Sequence, residues 1–120
     1  MKKSVVHFEI GCNDIQKSVD FHQQVFQWDI SPKDNAETIN TGGTEAITGH
    51  LNKLAPNELQ RYVTVYIETD TIETNLEQIE KKGGKILVQP KALPDRRTFT
   101  WFEDVAGNTL RLITPHKTYP

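Results

Sequence analysis

Residues 62–88 read YVTVYIETDTIETNLEQIEKKGGKILV, a strand, a helix and the start of a further strand. Tyr62-Val63-Thr64-Val65-Tyr66-Ile67-Glu68 alternates with period two, which predicts a strand with Val63, Val65 and Ile67 on one face and Tyr62, Thr64 and Tyr66 on the other. Asp70 or Thr71 then caps a helix whose Ile72, Leu76 and Ile79 recur at helical spacing. Lys81-Lys82-Gly83-Gly84 stops it, with basic residues in the last turn and glycine just beyond. Lys85-Ile86-Leu87-Val88-Gln89 opens a run of three strands that continues with Thr98-Phe99-Thr100-Trp101-Phe102 and Asn108-Thr109-Leu110-Arg111-Leu112-Ile113. The order is βαβββ.

Working outward, the first half repeats that programme. Val5-Val6-His7-Phe8-Glu9-Ile10 alternates, with Val6, Phe8 and Ile10 on one face and Val5, His7 and Glu9 on the other. Gly11-Cys12-Asn13-Asp14 breaks the strand, Asn13 or Asp14 serves as N-cap, and a helix is predicted over about residues 14–27. A polar stretch follows Trp28, then Thr38-Ile39-Asn40, the turn Gly42-Gly43 and a strand from Glu45 to Leu51, while Asn52–Gln60, with Pro56 and Asn57, reads as a linker. The two first strands begin 55 positions apart, at His7 and Tyr62, consistent with a duplication. The expected fold is α+β, with two tandem βαβββ modules, about residues 4–52 and 61–114, forming one domain with a curved mixed sheet and a concave cavity.

Composition narrows the function. The 120 residues carry 14 Lys+Arg against 16 Asp+Glu, a net charge of -2, with no block of one sign. Such a chain lacks the basic footprint of a nucleic-acid binder. No apolar run is long enough to span a membrane or to serve as a signal peptide, so a cytoplasmic protein is expected. Cys12 stands alone, which excludes an intrachain disulfide and a Cys-rich zinc site and leaves it a small strand-end residue. Gly42-Gly43 and Gly83-Gly84 lack the Lys-Ser/Thr of a phosphate loop, and there is no Gly-x-Ser-x-Gly elbow.

The pattern His7-Phe8-Glu9-Ile10, Asp14, Ser18-x-x-Phe21, Val25-Phe26-x-Trp28, Tyr62-Val63-x-Val65, Gly83-Gly84-Lys85, Pro90 and Phe102-x-Asp104-x-x-Gly107-Asn108-x-Leu110 resembles the glyoxalase/bleomycin-resistance/dioxygenase family, the vicinal oxygen chelate superfamily, over about residues 4–114. That resemblance implies the two-module fold and, commonly, a homodimer. It leaves activity open, because the fold hosts lyases, isomerases, dioxygenases, thiol transferases and drug-binding proteins.

Metal-dependent members hold one divalent ion with His, Glu or Gln ligands from the first and fourth strands of each half. Carried onto this chain, those positions fall at His7, at Gly49 or His50 depending on a one-residue register, at Tyr62, and at Arg111. A guanidinium about 4 Å from a dication is repelled by several kcal/mol even at an effective dielectric near 20. No metal and no cofactor are therefore expected. The concave face instead collects His7, Glu9, Tyr62, Thr64, Tyr66 and Arg111, with His50 if its register permits. Arg111 either grips a planar anion or pairs with Glu9. Trp28, Phe99, Trp101 and Phe102 are core or cavity aromatics, Arg96 and Arg97 are loop residues, His22 is a packing or surface residue, and His116 is given no role. His7 and Glu9 at i, i+2 share a face, a spacing compatible with acid/base work.

The expected function is metal-free binding of a small anionic or aromatic molecule by a homodimer that engages neither nucleic acid nor membrane. The competing expectations are a divalent-metal-dependent lyase or dioxygenase using His7, Glu9 and His50, and a vestigial cavity on a protein that acts through its dimer surface.

Overall fold

A computed structural model describes residues 2–33, 36–43, 45–55 and 62–116. The chain divides into two compact units, His7–Thr64 and Val65–Pro120 with Met1–Val6. The elements are β1 (Val5–Cys12), α1 (Ile15–Phe26), β2 (Asp29–Lys33), β3 (Ala36–Asn40), β4 (Thr48–Lys53), β5 (Tyr62–Glu68), α2 (Ile72–Lys81), β6 (Lys85–Ala92), β7 (Thr98–Glu103) and β8 (Thr109–Ile113). This is the α+β, twice βαβββ order read from the alternation.

In the first unit the strand order is β2-β3-β4-β1, with β1 and β4 parallel and the other pairs antiparallel. Two-residue periodicity sorts the side chains. Cys12, Ile39 and Leu51 form a buried cluster with Phe8, Ile10, Ile15, Val19, Trp28 and Ile30 packed against it, so one sheet face is closed by α1. Asp14 caps α1 by accepting from the Lys17 N–H at 3.1 Å, and Gln27 ends it in the left-handed conformation at φ 60°.

Three features of this unit depart from the sequence expectation. The polar stretch after Trp28 contains a strand, β2, because an edge strand tolerates Pro32 and needs only Ile30 to turn inward. The strand expected from Glu45 begins at Thr48, leaving Ile47 exposed. Of the expected linker, Asn52 and Lys53 lie in β4, whereas Pro56 and Asn57 fall outside the described residues.

In the second unit the order is β5-β8-β7-β6, again with one parallel pair, β5 and β8. Ile72 and Leu76 of α2 pack with Phe102 and Leu112, flanked by Ile67, Ile79, Ile86 and Leu110. Thr71 is the N-cap residue, and the Lys82 N–H donates back to Gln78 at 3.0 Å. β6 runs past Gln89 through Pro90 to Ala92 with two register shifts, which its edge position permits. On β5 the faces sort as expected, but burial favours the polar one. Thr64 and Tyr66 are buried while Val63 is 71% exposed. Among the described residues no helix is long and apolar enough to cross a membrane.

Candidate ligand-binding site

The second sheet face of the first unit is polar. β1 contributes His7 and Glu9, and β4 contributes Thr48, His50 and Asn52, aligned by the pairs His7↔Thr48, Glu9↔His50 and Gly11↔Asn52. Gly49 settles the register left open by the sequence. A Cβ there would lie 2.2 Å from the Phe8 ring, so Gly49 takes the apolar face beneath Phe8 and His50 turns to the polar one. Gly11 does the same for Tyr62, whose ring lies over its Cα with no room for a Cβ, 2.5 Å away. Tyr62 can then reach Glu9 with its hydroxyl.

These side chains form one continuous hydrogen-bonded chain. Thr48 Oγ1 lies 2.6 Å from His7 Nδ1, His7 Nε2 lies 2.7 Å from His50 Nδ1, and His50 Nε2 lies 3.0 Å from Glu9 Oε1. The Tyr62 hydroxyl donates to Glu9 Oε2 and accepts from Asn52 Nδ2 at 2.9 Å. Which ring nitrogens of His7 and His50 donate is set by the tautomers, while Glu9, when ionised, accepts at both oxygens. The imidazole planes differ by 26°, close enough to coplanar for an in-plane N–H···N bond. Glu9 is 1% exposed. Burying that charge is costly unless hydrogen bonds compensate it, and here both oxygens receive a donor.

The second unit holds a different cluster. Arg111 on β8 is buried between its strand partners, Tyr66 of β5 and Trp101 of β7. Its Nη1 donates to the Tyr66 hydroxyl at 2.8 Å, and its guanidinium carbon lies 3.9 Å from the centroid of the Trp101 ring, a cation–π stack. The buried indole N–H of Trp101 has no hydrogen-bond partner among the described residues.

The seven expected site residues thus divide between the units: His7, Glu9, His50 and Tyr62 join in the hydrogen-bonded chain of the first, where Thr64 is also buried, and Tyr66 pairs with Arg111 in the second. Thr48 and Asn52 complete the first cluster and were missed by the sequence reading. Their only signal is parity with His50, invisible until Gly49 fixes the register. His22 lies on α1, donates from Nδ1 to the Ser18 carbonyl at 2.7 Å and stacks on Trp28. Arg97 is held by Asp95, its Nε donating to Oδ2 at 2.9 Å. Partial burial raises the Asp95 carboxyl, but the Arg97 backbone and guanidinium bonds outweigh it and leave the group below the usual range. Cys12 is buried at the end of β1.

The donor set does not suit the metal that the resemblance raises. His7 and His50 stand at the first- and fourth-strand positions, yet His7 Nε2 and His50 Nδ1 are hydrogen-bonded to each other, 2.7 Å apart. The remaining His50 nitrogen is turned to Glu9. Among the described residues no group of three or more His, Cys, Asp or Glu is disposed to hold a metal ion.

The family model described as Glyoxalase/Bleomycin resistance protein/Dioxygenase superfamily matches residues 4–112. A glyoxylase-like domain-containing protein of Didymella fabae is 24% identical over 118 residues, covering 88% of this chain and 89% of that protein. Among solved structures, a hypothetical protein from Bacillus halodurans C-125 superposes with a TM-score of 0.71 at 10% identity, covering 100% of this chain and 99% of that one. A glyoxalase/bleomycin resistance protein/dioxygenase superfamily member from Vibrio splendidus 12B01 gives 0.68 at 15% identity, covering 94% and 99%. Methylmalonyl-CoA epimerase from Mycobacterium tuberculosis gives 0.67 at 10% identity, covering 94% and 88%. At such identities the solved structures speak to fold alone.

Proposed function

The chain belongs to the glyoxalase/bleomycin resistance protein/dioxygenase superfamily, and from that premise we propose that it binds a small anionic or aromatic molecule, without metal, on the polar face of the first unit. The observation that carries this reading is the chain Thr48–His7–His50–Glu9–Tyr62–Asn52. A sheet face stabilised only by packing would carry aliphatic residues, since a buried ion pair is often no better than well-packed hydrophobics. Six linked polar groups in one register argue for recognition instead. The second unit has an anion-suited group of its own, Arg111, buried and oriented by Tyr66 and Trp101. A homodimer is part of the same proposal.

The experiment is metal retention measured by elemental analysis after incubation with Fe(II), Mn(II), Ni(II) and Zn(II) and desalting. Negligible retention of all four is expected. Near-stoichiometric uptake that disappears in His7→Ala would overturn the metal-free reading in favour of a metal-dependent lyase or dioxygenase.

A further inference from the structure

The second unit holds a cavity of about 210 Å3 that none of Tyr66, Trp101 or Arg111 lines. One wall is the N-terminal segment Lys2-Lys3-Ser4, the other is Glu68-Thr69-Asp70 where β5 gives way to α2, and Pro115, beyond β8, completes the lining. Backbone bonds fix the walls. The Glu68 N–H donates to the Ser4 carbonyl at 2.8 Å, which ties the N-terminal segment to the end of β5, and the Thr69 N–H donates to the Ile113 carbonyl at 2.9 Å. Thr69 is 2% exposed, and its hydroxyl oxygen accepts from the Thr71 N–H at 3.1 Å while donating to Asn75 Oδ1 at 2.6 Å. With these amides and this hydroxyl engaged within the fold, the groups left to meet a ligand are chiefly the charged side chains.

Those charges sum to zero and are sorted by wall. Lys2 and Lys3 stand on one, Glu68 and Asp70 on the other. Lys3 Nζ lies 3.6 Å from Asp70 Oδ1, beyond hydrogen-bond distance, and the Asp70 side chain is 73% exposed, so this pair contributes little and exchanges readily. Lys2 and the half-buried Glu68 have no ion-pair partner among the described residues. A simple anion drawn to the lysines meets two carboxylates, and a simple cation drawn to the carboxylates meets two ammonium groups. A molecule carrying both charges a few bonds apart meets each wall with its opposite. We propose that this cavity binds a small α-amino acid, whose carboxylate accepts from Lys2 Nζ and Lys3 Nζ and whose ammonium donates to the Glu68 and Asp70 carboxylates. The volume lies below about 300 Å3, the small end of ordinary ligand pockets, and Pro115 is the one apolar residue among the described lining residues, so the amino acid side chain is confined to a hydrogen or a methyl group. Binding here is non-covalent and independent of the first unit's polar chain.

Titration of the full chain with L-alanine, followed by backbone amide NMR, is the test. Saturable shifts are expected at Ser4, Glu68, Thr69 and Asp70, with propionate and ethylamine, which each carry one of the two charges, binding at least about tenfold more weakly. Glu68→Gln keeps the shape and loses the charge, and it is expected to weaken alanine by about tenfold, as is Lys2→Met. Lys17→Met, altered on α1, is expected to bind alanine as the wild type does. Propionate binding as tightly as alanine would reduce the cavity to surface lysines that attract any anion, and ethylamine binding as tightly would reduce it to an acidic corner. Absence of saturable shifts with alanine would show that the crevice holds no amino acid. Each of these three results overturns the proposal and leaves the reading of the first unit untouched. The comparison of alanine with propionate and ethylamine uses the wild-type chain alone, so it stands even where a variant fails to fold.

Discussion

The two units share a wiring diagram and differ in what they do with it. Each has four strands, one parallel pair, a single helix against one sheet face and polar side chains on the other. In the first unit the polar face is a hydrogen-bonded chain of histidines ending on a buried carboxylate. In the second it is a guanidinium clamped between a phenol and an indole. The helices diverge as well. α2 buries Ile72 and Leu76, whereas α1 buries no residue fully and leaves Phe21, Val25 and Phe26 more than half exposed. Strand order survives such divergence because backbone pairing and one aliphatic face suffice to specify it. The second face is free to acquire chemistry, separately in each copy.

Breaking the first polar chain should have the largest effect. His50→Leu leaves Glu9 buried without its histidine and is expected to cost about 3 kcal/mol in urea unfolding. The double variant His50→Leu with Glu9→Leu should recover much of that loss. A double-mutant cycle without coupling would contradict the continuous chain.

The helix contrast comes next. Leu76→Ala in α2 is expected to cost about 2–4 kcal/mol, and Val25→Ala in α1 less than about 0.5 kcal/mol, both from denaturant midpoints at constant m. Equal costs would erase the asymmetry between the units. Gly11→Ala sharpens the comparison within the site. Its methyl group displaces the Tyr62 ring, so a loss of about 1–3 kcal/mol is expected in urea unfolding.

The smallest effect is expected in the β7–β8 turn. The backbone and side-chain amides of Asn108, with the backbone N–H groups of Ala106 and Gly107, hold the Asp104 carboxyl below its usual range. A group depressed in the folded state stabilises above its unfolded pKa, and that contribution fades as pH falls through the lowered folded value. Asp104→Ala should therefore lower the melting temperature slightly near neutral pH and converge with wild type in acid.

Much of this was legible in the sequence because period-two and helical spacing are strong wherever an element has one covered face. β1, β5, α2 and β8 declare themselves that way, and Asp14 announces α1. β2 did not, since an edge strand of Asp29, Ser31, Pro32 and Lys33 with a single inward Ile30 has no alternation to detect. The site was legible as residue types on one face, and its assembly was not. The face taken by His50 depends on Phe8 packing over Gly49, a contact 41 residues apart in the chain that no local pattern encodes. Thr48 and Asn52 are ordinary strand residues until that register places them beside His7 and Tyr62.

The most direct test of metal-free recognition is the melting temperature of the EDTA-treated chain as benzoate is raised, with and without added Zn(II). A ligand that binds the native state stabilises it by RT ln(1 + [L]/Kd), about 2.7 kcal/mol at a hundredfold excess over Kd. Metal-free binding gives a melting temperature that climbs with the logarithm of benzoate concentration and is the same with or without Zn(II). A climb that appears only when the metal is present would contradict it.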